Sequence, residues 1–315
     1  MSRLYALVLV AAGAAVGCAK QESKQADTTN APATPVAAAV ATKLGETDGL
    51  KTPESVRYDP ELDVYYVSNI NGNPSQHDGN GFIVVIRADS TGAAVKTLVE
   101  GGKNGVTLDA PKGIALAGDT LWVADIDHVR AFNRRTGARI ADIDLTSQKA
   151  TFLNDVAIGG DGAVYVTDTG IAFDAKGATS HPGTDQIFKI VGRKATAIKA
   201  DSLNSPNGIT WDNANGRFLL APFSGTAVQT WKEGDKAPAT LATGAGTYDG
   251  VEVLADGRIL VTSWADSTVD LVQNGSLSKL VTGVSGPADI GVDTKRMVVA
   301  VPRFNDNKVE FFKIP

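Results

Sequence analysis

Short runs of Val, Ile, Leu, Tyr and Trp bounded by Gly, Asp and Asn recur along the chain, while helical periodicity is scarce. That pattern predicts an all-β protein. The clearest recurring unit is an apolar run ending in a small or acidic residue: YYVS from Tyr65, WVAD from Trp122, YVTD from Tyr165, LLAP from Leu219, LVTS from Leu260 and VVAV from Val298. Successive units begin 57, 43, 54, 41 and 38 residues apart. Self-similarity at about forty residues, in strands alone, predicts a β-propeller. Six units predict six blades.

Each of these runs follows another strand across a tight polar turn, such as DPELD, AGDT, GGDG or DNANG, whose Gly, Asn and Asp residues suit hairpin connections. With the first strand of a blade lettered A and the recurring run B, two further strands, C and D, complete a four-stranded blade. The last unit supplies only A, B and C, so its fourth strand is expected from the N-terminal side, near Val40 to Leu44. That closure would join the chain ends and remove an open sheet edge. The two long spacings are explained by NGNPSQHDGNG in the first unit and GIAFDAKGATSHPGTD in the third, both between strands B and C. The three histidines, His77, His128 and His181, are assigned to B–C connections and so to one face of the disc. B–C loops and the entrances of the A strands share that face, because an antiparallel chain reverses at every turn.

Alignment of the six A strands on their apolar alternation gives ESVRY, KGIAL, NDVAI, NGITW, DGVEV and ADIGV. Their leading residues are Glu54, Lys112, Asn154, Asn207, Asp249 and Ala288. A strands line the central channel of a propeller, so these side chains are expected to converge at one end of it. Two carboxylates and two amide carbonyls form a hard-oxygen set that suits Ca²⁺, or another hard divalent cation, better than zinc or copper. Without a cation, Glu54 and Asp249 would repel each other in a confined space. The competing explanation is that Asn-Gly and Asp-Gly are ordinary turn residues. It accounts for any single pair more readily than for four donors at one register, one of them a Glu that no turn requires.

Composition narrows the remaining possibilities. Residues 1–17 carry one Arg, an apolar run and small residues ahead of Cys18, the layout of a cleaved secretory signal, and AVGC resembles a bacterial lipobox with Ala15 in place of the usual Leu. Lipid attachment at Cys18 is therefore expected, with an ordinary signal peptide and an incidental cysteine as the alternative. Cys18 is the only cysteine, which excludes disulfides within the chain and cysteine-based zinc sites. Residues 18–41 are polar and then Ala/Pro-rich and read as a tether, leaving 42–315 for the propeller. Ala19 and Lys20 follow the cysteine without an aspartate, which points to the outer membrane facing the periplasm. The formal charge is −5 with no basic stripe, so nucleic acid is not an expected partner. A monomer touching the membrane only through its lipid is expected. The four tryptophans are assigned to strands that pack between blades. No G-x-S-x-G elbow, phosphate loop or dinucleotide fingerprint is present.

Through PESVRYDPELDVYYVSN, FLNDVAIGGDGAVYVTD, SPNGITWD and YDGVEVLADGRILVTSW, the chain resembles the family of regucalcin (senescence marker protein) and gluconolactonase. It is more remotely similar to the paraoxonases and diisopropyl fluorophosphatase. The resemblance implies Ca²⁺ on the axis bound by Glu54, Asn154, Asn207 and Asp249, with Asp155 orienting the ligands from behind. It also places a functional carboxylate at Asp249, the first candidate for base or nucleophile in hydrolysis of a lactone or related ester. His181 and His77 are further candidates, and Lys112 is a candidate partner for an anionic substrate group or an oxyanion. Each of these three also has a plain reading: the histidines as solvated loop residues, the lysine as a side chain turned aside from the cation. Sugar-lactone members often carry an arginine where this chain has Phe152, which argues against a sugar-acid lactone. The second unit, APKGIALAGDTLWVADIDHVRAF, looks like an NHL repeat, a module of many binding propellers. Two functions thus stay open, a metal-dependent hydrolase and a non-catalytic binding or sensing propeller of the cell envelope.

Overall fold

The computed structural model describes residues 40–89 and 95–315, and the signal, Cys18 and nearly all of the tether lie outside the described residues. Six four-stranded antiparallel sheets account for nearly all the regular structure, and the described residues contain no α-helix. Five sheets run A-B-C-D in chain order, and the third carries a small extra hairpin, Ala172–Phe173 with Thr179–Ser180, between its B and C strands. The sixth consists of Gly291–Asp293, Val298–Arg303 and Lys308–Lys313, completed by the N-terminal strand Thr42–Thr47. Thr42–Thr47 pairs antiparallel with Lys308–Lys313, and Lys43 Nζ donates to Glu310 at 2.7 Å across that seam. The fold is a six-bladed β-propeller closed by its own N-terminal strand.

Each blade faces two neighbours, so its strands must be apolar on both sides; this is why the B strands read as unbroken apolar runs rather than as an alternation. Tyr65 and Val67 pack with Val298, Ala300 and Phe311 of the sixth blade. Tyr66, one residue along, packs with Ile114, Leu121 and Val123 of the second. The same arrangement repeats around the ring, one apolar cluster filling each junction. The junction at the closure depends on Phe311, fully buried with its ring 5.2 Å from that of Tyr65.

Phe311→Ala is expected to lower the unfolding free energy by about 3–5 kcal/mol through lost burial and a cavity at the closure. Val191→Thr, at a side chain 63% exposed, should change it by less than about 0.5 kcal/mol. Urea titrations followed by circular dichroism measure both, and equal shifts would sink the assignment of the closure to this junction.

Candidate functional site

The A strands Pro53–Asp59, Pro111–Ala117, Leu153–Ile158, Pro206–Asp212 and Tyr248–Val253 surround the channel, and an isolated parallel bridge between Ser55 and Asp289 joins the first blade to the last. In each of these five strands the pairing with strand B slips once at the entrance, between Pro53 and Val56, Pro111 and Ile114, Leu153 and Val156, Pro206 and Gly208, and Tyr248 and Val251. These bulges hold Glu54, Lys112, Asn154, Asn207 and Asp249. A bulge re-aims a side chain and leaves a backbone group without its ladder partner. In three blades a hydroxyl from strand B takes that role: Ser68 Oγ accepts from Ser55 N at 2.9 Å, Thr167 Oγ1 from Asp155 N at 2.9 Å and Thr262 Oγ1 from Gly250 N at 2.7 Å. Thr167 then donates to the carbonyl of Asn207 at 2.6 Å, and Thr262 to that of Ala288 at 3.1 Å, pinning each entrance to the next blade.

Asn-Gly and Asp-Gly are not turns here. Gly208 and Gly250 lie within strands, and a Cβ on Gly208 would meet the carbonyl oxygen of Asp249 at 2.2 Å. Glycine is required because adjacent A strands nearly touch, and that approach brings the donors of neighbouring blades together.

Glu54, Asn154, Asn207 and Asp249 line one cavity of about 530 Å³ at the channel mouth, together with Lys112. Each of the four residues is 5% exposed or less. Their oxygens are unevenly used. Asn154 Nδ2 donates to Thr169 Oγ1 at 3.0 Å while Asn154 Oδ1 has no partner. Trp264 Nε1 donates to Asp249 Oδ2 at 2.8 Å, leaving Asp249 Oδ1 unpartnered, and Glu54 Oε2 is also unpartnered. Buried polar atoms ordinarily find partners, so three orphan oxygens around one cavity floor mark a place built for a ligand that accepts oxygen donors. Among the described residues no three His, Cys, Asp or Glu gather as a metal cluster; half of this set is amide.

Burial drives Glu54 well above the usual carboxylate range, and the Asp249 and Asp289 carboxylates add to the rise. Asp249 is likewise raised well above its ordinary value, by burial first and Asp289 next, against the hydrogen bonds from Trp264 and Asn207. Asp155 is pushed up to about 7 by burial, with Arg57 opposing. Its Oδ2 accepts from the backbone N–H of Ile209 at 2.7 Å, so it holds the strand that carries Asn207. The chemistry of the set, two carboxylates and two amides, fits a hard divalent cation.

Several expected participants are engaged by other groups. Lys112 Nζ donates to the carbonyl of Ala110 at 3.1 Å and lies 4.2 Å from the centre of the Phe152 ring. Burial brings it down to about 8, with Glu54 opposing. His77 and His181, expected over the mouth, do not line the cavity. His77 sits between Asp109 at 3.2 Å and Asp127 at 3.5 Å, and His181 pairs with Asp185 at 2.7 Å. Asp109 and Asp127, on connections into and within the second blade, hold the first ring, and Asp185 of its own loop holds the second. His128 opens strand C of the second blade rather than occupying the connection before it. Trp264, assigned from sequence to a strand between blades, instead follows its B strand, Ile259–Ser263, and stands in the cavity wall. Ile70, Thr169 and Phe223 occupy the same position after their own B strands and all reach the site. The register argument that found the donors on the A strands would have found these too, applied to the residue after strand B.

A six-bladed propeller with a buried, oxygen-lined site at one end of its channel is the class defined by this geometry. The chain belongs to the family described as the SMP-30/gluconolactonase/LRE-like region, whose model matches residues 52–291. No curated protein matches the chain. Among solved structures, a calcium-binding protein, regucalcin, from Agrobacterium tumefaciens C58 is similar at 17% identity and a TM-score of 0.63, covering 88% of this chain and 96% of that one. A protein described provisionally as a gluconolactonase gives 15% and 0.64, over 88% and 93%. Virginiamycin B lyase from Staphylococcus aureus gives 12% and 0.58, over 87% and 99%. At these identities the structural likeness establishes the fold alone.

Thr167→Val, which keeps the shape and removes the hydroxyl, should lower the unfolding free energy by about 1–3 kcal/mol, since it strands the Asp155 N–H and the Asn207 carbonyl without a partner. Thr210→Val, on the less buried face of the fourth A strand, serves as the control. Indistinguishable denaturation midpoints would remove the peg from the account of the site.

Proposed function

We propose that the protein is a metal-dependent hydrolase of lactones or related esters, holding a divalent cation, Ca²⁺ by the chemistry of its donors, with Glu54, Asn154, Asn207 and Asp249. The observation that carries this reading is the set of three orphan oxygens, Glu54 Oε2, Asn154 Oδ1 and Asp249 Oδ1, on side chains that line one cavity. Membership of the family and the likeness to a calcium-binding regucalcin support it. When bound, the cation would act as a Lewis acid toward the acyl carbonyl.

The chain's own groups do the rest. Asn154 and Asp249 are each held at one atom and free at the other, so their oxygens are pre-aimed and lose little freedom when a substrate arrives. The Asp249 carboxylate takes a proton from the attacking water. The water oxygen bonds to the acyl carbon, the acyl C–O bond breaks, and Asp249 returns the proton to the departing alkoxide oxygen. The walls exclude bulk water from this exchange. Lys112 stays under Phe152 and reaches neither oxygen. We assign the working place to the cell envelope, through a lipid on Cys18.

A second reading, a propeller that binds without turnover, draws on the absence of histidine and of a free lysine from the cavity lining. Metal analysis of purified protein, followed by a panel of lactones, esters and phosphotriesters, separates the two. Chelation should abolish hydrolysis, and Asp249→Asn should lower kcat/KM by about 10²-fold or more with the circular dichroism spectrum retained. A folded, metal-loaded protein inert toward the whole panel would falsify the hydrolase reading.

A further inference from the structure

The walls above the polar floor differ in character from the floor. On one side the rings of Phe152 and Phe173 lie 5.6 Å apart. On the other, Phe223, Trp264 and Phe304 form a chain, with centroids 6.1 and 5.4 Å apart and near edge-to-face angles. Ile70 completes the lining between them. Phe173, Phe223 and Trp264 are half-buried and join none of the clusters that fill the blade junctions, so folding leaves their apolar faces unused. Phe173 is held over the mouth by backbone and side-chain bonds between the two long insertions: its N–H donates to Ser75 Oγ at 3.0 Å, and Asn73 Nδ2 donates to the carbonyl of Asp174 at 2.8 Å. The two loops thus join into a roof, and the space beneath is a slot between aromatic walls. At about 530 Å³ it lies in the range of small-molecule sites.

Most of the polar side chains are on the floor; of the others in the lining, Asn73, Thr179 and Asn305, the Asn73 amide is already bonded to the Ser75 N–H and the Asp174 carbonyl. Among the described residues no arginine or histidine lines the slot, and its one lysine donates to the carbonyl of Ala110. A hydroxylated or anionic ligand would set its polar groups against ring faces, losing roughly tenfold or more in affinity for each hydroxyl left without a partner. We infer that the substrate is an apolar lactone or ester, whose carbonyl meets the floor while an aromatic or long alkyl substituent fills the slot between the walls. The inference rests on the hydrolase reading of the floor for the reacting group, and on the walls alone for the substituent.

The test uses the calcium-loaded protein and γ-lactones bearing alkyl chains from methyl to heptyl, with δ-gluconolactone alongside. Specificity, kcat/KM, should rise about two- to fourfold per added CH₂ until the slot is full. The heptyl compound should exceed δ-gluconolactone by about 100-fold or more, the product of several such steps. Phe173→Ala and Phe304→Ala should each flatten the rise, costing the heptyl lactone several times more than the methyl one. A preference for δ-gluconolactone, or no dependence on chain length, overturns the apolar substrate while leaving the hydrolase intact. N-alkyl pyrrolidinones, the inert lactam counterparts, read the slot without turnover by calorimetry. If no lactone is hydrolysed yet the lactam Kd falls with each CH₂, the hydrolase reading is lost and the apolar slot stands; a Kd independent of chain length overturns the slot.

Discussion

The near-contact of adjacent A strands around the axis is the constraint on which the site depends. Where Gly208 backs onto Asp249 there is no room for a methyl group, and at Gly250 the backbone of Asp289 is as close. Six strands held this tightly cannot all present regular ladders to their own B strands, so each of the first five slips by a bulge at its entrance. The slip turns Glu54, Asn154, Asn207 and Asp249 toward the mouth, while Ser68, Thr167 and Thr262 satisfy the backbone N–H groups that it frees. Packing at the axis therefore comes first, and the convergence of donors follows from it.

That packing carries an electrostatic cost. Glu54, Asp155, Asp249, Glu252 and Asp289 are all buried along the channel, and among the described residues Lys112 and Arg57 bring positive charge to it. Arg57 is committed to Glu252 and to the carbonyl of Ile114 at 2.8 Å, and burial weakens Lys112 as a cation. Ser55 Oγ donates to Asp289 at 2.6 Å and Asp155 accepts two backbone N–H groups, which stabilises those carboxylates locally. Glu54 Oε2, Asp249 Oδ1 and Asp289 Oδ1 have no such partner. Residues that carry such a cost, on a scaffold that could bury apolar groups there, argue for a role outside folding.

Much of this was legible in the sequence because a propeller repeats. The B-strand runs located the blades, and the alternation of the A strands gave a common register that put Glu54, Asn154, Asn207 and Asp249 at equivalent positions. Local pattern is less informative where no repeat constrains it. Spacing located the two long insertions, but not the contacts between Asn73 and Asp174 or Ser75 and Phe173, which join residues about a hundred positions apart. His77 and His181 were correctly placed on loops, yet a loop assignment says nothing of the carboxylates that hold each ring. Trp264 was read as a packing residue because strand composition favours that role; its place one residue beyond strand B is what turns it to the mouth. The signal tract and Cys18 belong to a part of the chain outside the described residues.

Floor and walls are built by different parts of the chain, and this decides what the family can and cannot imply. The floor comes from strand entrances locked by axial packing, so its geometry is shared wherever the blades are. The walls come from residues after strand B and from the insertions in blades one and three, segments that surface loops can exchange at little cost to the core. Phe152 is the hinge between these regimes. It directly precedes the strand that carries Asn154, its backbone is fixed by Asp168 at 2.9 Å, and its ring both covers Lys112 and faces Phe173. A polar side chain there would uncover the lysine and break the aromatic wall together. One residue thus couples the charge available at the floor to the polarity of the slot.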